Sequence, residues 1–429
     1  MNARFQEKYD NIFMATMLML ALSICSLSYM PYFMGAYSFT NSVMDDRIYF
    51  SLSVLCIIVF MIIINFSKFI DSLIKLRINQ IVISFCTISL LFSIINFKLY
   101  FGSIYPFCVA LFVFVSGTVF SFRVRAVKTI MYEYIIVTFI VGLYTIISYG
   151  GTFELVDTYL FSHKNSICVI WGTCSIILAY FAVSSKFGIL GIINICGMIA
   201  FIIMIIIARG RAALLATLLC IIVIFIRKFM KLRKVSVSGV IVFSLMAIIL
   251  IGIISIKLEG LSFLSHAFLG VNKEYTDMDD FSSGRLTLLE MGIKKFISNP
   301  MLGGLYDNEN FGMVHNYPMR ILASYGLVGG CTYLIIYILF MVKILKGMFS
   351  TKFNNFEIWN VGYFIMAELY IVSMFEPLAP FGPGTVSFIG FFMLGMAVRC
   401  EATEYRGQHI PAFPLSPYPK NNAPYMSHI

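Results

Sequence analysis

Apolar residues run in blocks of about twenty along this chain, and the charged and turn-forming residues collect in the short stretches between them. The blocks lie at 13–35, 49–66, 80–97, 100–120, 129–149, 168–184, 188–208, 212–226, 236–256, 318–342, 358–375 and 383–399. A helix needs about 17–25 residues to cross a hydrocarbon core. The pattern therefore predicts an all-α, polytopic membrane helix bundle of about twelve transmembrane helices, forming one multi-pass domain over 1–400. One connection, 257–317, is much longer than the rest and carries a different period. Leu286, Leu289, Ile293, Phe296 and Ile297 recur at three- and four-residue spacing, with Glu290, Lys294 and Lys295 on the other side. Ser282 or Ser283 can cap such a helix and Asn299-Pro300 stops it. The expectation is an amphipathic helix along the membrane surface, packed on the bundle. It would hold Arg285 in its first turn, where unsatisfied N–H groups favour an anion.

Charge then orients the bundle. Lys and Arg accumulate on the cytoplasmic side of membrane proteins, and the connections 68–77, 123–128, 227–234 and 343–352 fall on one side with both basic termini. That side is read as cytoplasmic, which makes 257–317 a periplasmic loop. The formal charge of +10 is then a topology signal, and cytoplasmic anchoring near anionic headgroups is favoured over nucleic-acid binding. The run after Met1–Asp10 is read as the first span, because it lacks a small-residue cleavage site and is too long for a signal h-region. All but Cys400 of the ten cysteines sit inside apolar runs, so no disulfide framework is expected. The tail 401–429, with prolines between Ile410 and Lys420, is expected to be a loosely ordered cytoplasmic extension.

Composition, 60% hydrophobic and 12% charged, makes each ionisable group near a span informative. Arg209 and Arg211 stand between two apolar helices with almost no loop. Such arginines either snorkel to headgroups or face a polar path, and their place on the outer side favours the path. The planar guanidinium fork suits phosphate oxygens, so Arg209, Arg211 and Arg285 could together neutralise a diphosphate, with Arg320 as a fourth candidate. His315 precedes a span beside Asn316. A lone histidine is more often structural, yet here it could exchange a proton with a reacting hydroxyl. Glu376 lies in an outer turn and is a candidate catalytic residue beside His315, while Glu368 lies within the preceding span, either simply hydrogen-bonded in the bundle or a partner for an arginine or a proton acceptor. Glu274, Asp277, Asp279 and Asp280 lack the spacing and glycine of a calcium loop and read as a solvated loop. No P-loop, dinucleotide fingerprint or zinc spacing is present, so neither a metal nor a cofactor is expected. A reaction at the outer surface would have to draw on an already activated substrate.

These residues resemble the O-antigen ligase and O-antigen polymerase superfamily of bacterial inner-membrane glycosyltransferases. The resemblance rests on Ala208-Arg209-Gly210-Arg211-Ala212, on Ser283-Gly284-Arg285 through Ser298-Asn299-Pro300-Met301-Leu302-Gly303-Gly304, and on His315-Asn316-Tyr317 with Ile321 through Gly329. It extends more weakly to Phe161-Ser162-His163-Lys164-Asn165. It implies transfer of a glycan from undecaprenyl diphosphate to an acceptor sugar hydroxyl on the periplasmic face, with the arginines on the diphosphate and His315 as the base. The implied partners are an undecaprenyl-diphosphate-linked oligosaccharide, an acceptor glycan and membrane lipid; a chain-length regulator is a further candidate and nucleic acid is not. A polymerase would extend a lipid-linked repeat unit, whereas a ligase would modify lipid A core. The shortness of the segment from Gly304 to His315 favours the polymerase. A lipid-linked oligosaccharide flippase would place polar or broken helices near the midplane and show related halves. Here the ionisable residues gather toward one edge, with Glu368 as the exception, and the halves look unlike. A purely structural scaffold would leave that gathering without a cause.

Overall fold

The computed structural model describes residues 66–95, 110–119, 124–148, 164–184, 188–208, 210–233, 285–303, 314–350, 358–376 and 387–405, with isolated positions beside them. Regular structure among the described residues is helical throughout. In chain order the helices are α1 (Phe66–Lys75), α2 (Arg77–Ile95), α3 (Ala110–Val119), α4 (Val124–Ser148), α5 (Lys164–Ser184), α6 (Ile189–Ile207), α7 (Arg211–Arg233), α8 (Arg285–Ser298), α9 (Tyr317–Phe349), α10 (Val361–Ser373) and α11 (Ser387–Tyr405). A short 3-10 turn, Ile358–Asn360, leads into α10.

Within α4, α5, α6 and α9 there are stretches long and apolar enough to cross a membrane, while α3, α10 and part of α2 are shorter apolar helices. The chain is a membrane protein. The expected spans at 212–226 and 383–399 fall largely inside α7 and α11. Those at 13–35 and 236–256, and most of 49–66, lie outside the described residues. So do the acidic run 274–280, the caps Ser282 and Ser283 and the tail beyond Tyr405. Helix α11 continues through Glu401 into the expected tail, because Glu401 is paired with Lys343 and accepts from Tyr363 Oη at 3.1 Å.

Two helices form the centre. Helix α5 packs against α6, α7 and α10, and α10 against α9 and α11. Trp171, Tyr180, Tyr363 and Phe364 on these two helices are fully buried. Helix α6 is covered on one side only, through Gly191, Asn194, Met198 and Phe201, and leaves Ile189, Ile192, Ile193 and Ile203 exposed. That two-sided pattern suits a helix with lipid on its outer flank, where no hydrophobic gain separates lipid from protein contact.

The amphipathic helix expected in the long connection is α8, and it ends at Ser298 as Asn299-Pro300 demands. It rides on α9. Gly292 lies so near Val314 that an added Cβ would be 3.3 Å from its methyls. Beyond Ser298 the chain turns through Asn299–Gly303 and docks on a break in α9 at Gly326. Both Gly303 (φ 73°) and Gly326 (φ 59°) are left-handed, a conformation that side chains resist. Breaking α9 frees backbone donors that cannot stay unpaired. Leu327 N donates to Pro300 O at 2.8 Å and Val328 N to Met301 O at 3.0 Å. The glycines at 303 and 326 thus form a backbone clamp: a Cβ added to Gly326 would collide with Met301 O.

Candidate functional site

Several helix ends meet at one carboxylate. Helix α10 finishes at Ser373, and the following turn, with Glu376 N on Val372 O at 2.9 Å, brings Glu376 round into the bundle at 2% side-chain exposure. Asn316 fixes what stands opposite. As the N-cap of α9 its side chain accepts from Met319 N at 3.0 Å, and its amide donates to Met374 O at 3.1 Å. One residue therefore caps the start of α9 and staples it to the end of α10. The neighbouring His315 is left with Nδ1 3.2 Å from Glu376 Oε2.

The other carboxylate oxygen is held from two further helices. Arg285, the first residue of α8, donates from Nη2 to Glu376 Oε1 at 2.6 Å. Asn165, in the first turn of α5, donates from Nδ2 to the same oxygen at 2.8 Å. Burial would raise the pKa of Glu376. The His315 hydrogen bond, the Arg285 charge and the Asn165 amide outweigh it and hold the carboxyl below its usual range. An ionised carboxylate can only accept, so His315 Nδ1 is the donor in this contact, and in the neutral ring the lone pair is then on Nε2. With Nδ1 committed to Glu376, Nε2 is the nitrogen that can take a proton from a substrate hydroxyl.

The helix polarity at this end is unusual. Helix N-termini carry partial positive charge and favour acidic neighbours, yet α5 begins with Lys164, α7 with Arg211 and α8 with Arg285. Glu376, conversely, follows the C-terminus of its own helix. Each placement opposes the helix dipole, and the Arg285–Glu376 contact compensates two of them at once. Local rules broken together at one place are what functional sites are expected to show. Aligned N–H groups and cations leave a surface suited to anions.

Other candidates take definite places. The turn before α7 comes against α5, since a Cβ added to Gly210 would collide with Cys168 Sγ. Arg211 therefore opens α7 one turn from Asn165, with its side chain exposed. Arg209 lies outside the described residues. Arg320 is half-buried one turn into α9, with its backbone N–H on Asn316 O at 2.9 Å. It is not among the described donors to Glu376. Asn165 is the member of the cluster to which the sequence gives no role. It enters only as the last residue of the weaker resemblance at Phe161–Asn165, and otherwise as a polar residue opening an apolar span, as many simple caps do.

Glu368 is a hydrogen-bonded carboxyl within the bundle. It is fully buried in α10, and its described partners are threonines rather than an arginine. Thr173 on α5 donates to Oε2 and Thr217 on α7 to Oε1, each at 2.7 Å. Gly172 makes the room, since a Cβ there would collide with Glu368 Oε1. The carboxyl ties together α5, α7 and α10, the helices that carry Asn165 and Arg211 and lead to Glu376.

Residues 196–334 match the family model described as O-antigen ligase. Over that stretch the chain is similar to this family, which supports the resemblance to the O-antigen ligase and polymerase superfamily. The match takes in Arg209, Arg211, Arg285, His315, Asn316 and Arg320, while Asn165, Glu368 and Glu376 lie outside it. No curated protein matches the chain.

Proposed function

We propose that the protein is a polymerase that joins undecaprenyl-diphosphate-linked oligosaccharide repeat units at the Glu376 end of its bundle, on the periplasmic face of the bacterial inner membrane. The observation that carries the reading is the convergence of His315, Arg285 and Asn165 on Glu376, among helix N-termini that begin with cations.

In this reaction His315 Nε2 takes the proton of an acceptor sugar hydroxyl as its oxygen attacks the anomeric carbon of the donor. The bond from that carbon to the diphosphate breaks, and undecaprenyl diphosphate leaves with the electron pair. Glu376 fixes the ring and its tautomer and offsets the imidazolium charge, as an orienting carboxylate does for a histidine base. Arg209, Arg211 and Arg320 bind the diphosphate, and Arg285 divides its donors between Glu376 and that group. Preorganised cations act most strongly where charge builds on the leaving group. The donor is already activated, so the transfer needs no cofactor.

The alternative is an O-antigen ligase that delivers the glycan to lipid A core, the activity named by the matching family. Glycan profiles on gels separate the two. Deletion that leaves single repeat units on the core but no long chains supports the polymerase. Deletion that leaves full chains on undecaprenyl diphosphate and an empty core supports the ligase. Complementation with His315→Ala at wild-type membrane level should reproduce the deletion in either case.

A further inference from the structure

Helix α8 has three distinct sides. Gly292 faces α9, against Val314 and Met319. Glu290 and Lys294 pair at 2.7 Å with both side chains open to solvent. Between these sides runs a stripe of Leu286, Ile293 and Ile297, the last 67% exposed, and beyond the helix Met301 and Leu302 continue it, also exposed. A stripe of this kind on an aqueous loop would be a liability.

The clamp at Gly326 shows what the stripe adjoins. Met301 is bonded through its carbonyl to Val328 N, and Pro300 to Leu327 N. Leu327 and Val328 are exposed, and they head the outward stripe of α9 that goes on through Ile335, Ile338, Val342 and Leu345. That helix is long and apolar enough to span a membrane, so its outward stripe is a lipid-facing surface. The apolar surface of α8 is continuous with it across two backbone hydrogen bonds.

We infer that α8 is an interfacial helix, seated with Leu286, Ile293 and Ile297 in the hydrocarbon boundary of the bilayer and with Glu290 and Lys294 in water. The occupant of the stripe is membrane lipid. An amphipathic helix of this kind buries its apolar side roughly 5–10 Å into the boundary between headgroups and acyl chains. Leu286 adjoins Arg285 in sequence, so the lipid boundary comes to the edge of the Glu376 cluster. Resting on the proposed function, this gives a lipid-borne diphosphate a lateral way to Arg285 without leaving the membrane.

Tryptophan quenching in proteoliposomes tests the seating without any assay of glycan transfer. The chain has two tryptophans, Trp171 and Trp359, both buried, and their signal is subtracted using the parent protein. Ile297→Trp, on the stripe, should lose emission to lipids brominated along the acyl chain and resist aqueous iodide. Thr287→Trp, on the water side, should show the reverse. Leu286→Trp repeats the stripe test should Ile297→Trp fail to accumulate. Iodide quenching of the stripe positions overturns the inference. So does resistance to both quenchers, which would mean that protein covers the stripe. The readout is independent of transfer, so the two failures are distinguishable. Lipid quenching of Ile297→Trp together with full transfer by His315→Ala would sink the proposed base and leave the seating intact.

Discussion

Cations stand at both ends of this bundle but do different things there. At the Glu401 end they answer helix C-termini. Lys228 Nζ donates to Val183 O at 2.7 Å in the last turn of α5, Arg227 to Gly347 O and Ser350 O at 3.4 and 3.1 Å where α9 finishes, and Arg399 to Val119 O of α3. The last carbonyls of a helix carry partial negative charge, so Lys228 at the end of α5 and Arg227 at the end of α9 sit where the dipole wants them. At the Glu376 end the cations open helices instead, against the dipole, and the described side-chain donors gather on one carboxylate. Charge spread over backbone carbonyls stabilises a fold. Charge placed against the local preference and focused on one ionised side chain is poised for chemistry.

Removing the focus should have the largest effect. Glu376→Ala leaves Arg285 and Asn165 without their shared acceptor and frees the His315 ring, and activity should fall about a hundredfold or more, in the range of a lost acid–base contribution. It is read as glycan transfer from a lipid-linked donor by purified protein in liposomes. Glu376→Ala combined with His315→Ala should be little worse than either alone, because residues acting as a unit are not additive. Additive losses would separate the two residues.

The clamp comes next. Gly326→Ala forces a side chain into a left-handed position and against Met301 O. Strained backbone of this kind costs about 1–3 kcal/mol, so the thermal midpoint in detergent should drop, and activity with it, because α8 carries Arg285. An unchanged midpoint would mean that the break is not held as described. The two glutamates of the α10 segment should then part company. Glu368→Gln can still accept from one threonine and donate to the other, so most activity should remain. Glu376→Gln loses the charge that His315 and Arg285 face. Inactive Glu368→Gln at normal membrane level would make Glu368 a proton carrier rather than a tie.

The pH dependence of stability sharpens the same contrast. The folded-state pKa of Glu376 is depressed, so the unfolded chain binds more protons in the window between the two values. Its contribution is present above the unfolded value of about 4.3 and is lost as pH falls through the lower folded value. The midpoint difference between wild type and Glu376→Gln should therefore shrink on acidification below about pH 4. The smallest effect belongs to the Glu401 end. Lys228→Ala should cost about 1 kcal/mol in unfolding experiments, as for a cation at a helix C-terminus, with transfer unchanged.

Much of this is legible in the sequence, for reasons that differ by residue. The helix 285–298 and its stop follow from local periodicity and one proline. Arg285, His315 and Glu376 stand out because ionisable groups beside apolar spans are few. Their partners do not. Asn165 and Glu376 meet across 211 positions, and Thr173 and Thr217 reach Glu368 across 195 and 151. Hydropathy assigns such residues to helix ends or cores but says nothing about which helices touch. The basic connections tell which side they occupy, yet not that Arg227 and Lys228 close helix ends. The break in α9 is hidden as well, because a glycine within an apolar run reads as ordinary helix until the Asn299–Gly303 turn is seen to fill it.

The central claim is that His315, oriented by Glu376, takes the acceptor proton. The direct measurement is glycan transfer by reconstituted His315→Ala with and without added imidazole. The account predicts loss of transfer and partial recovery with imidazole, and no recovery for Glu376→Ala, which still carries its imidazole but without the carboxylate that orients it. Full transfer by His315→Ala without imidazole would contradict it and leave the arginines alone with the chemistry.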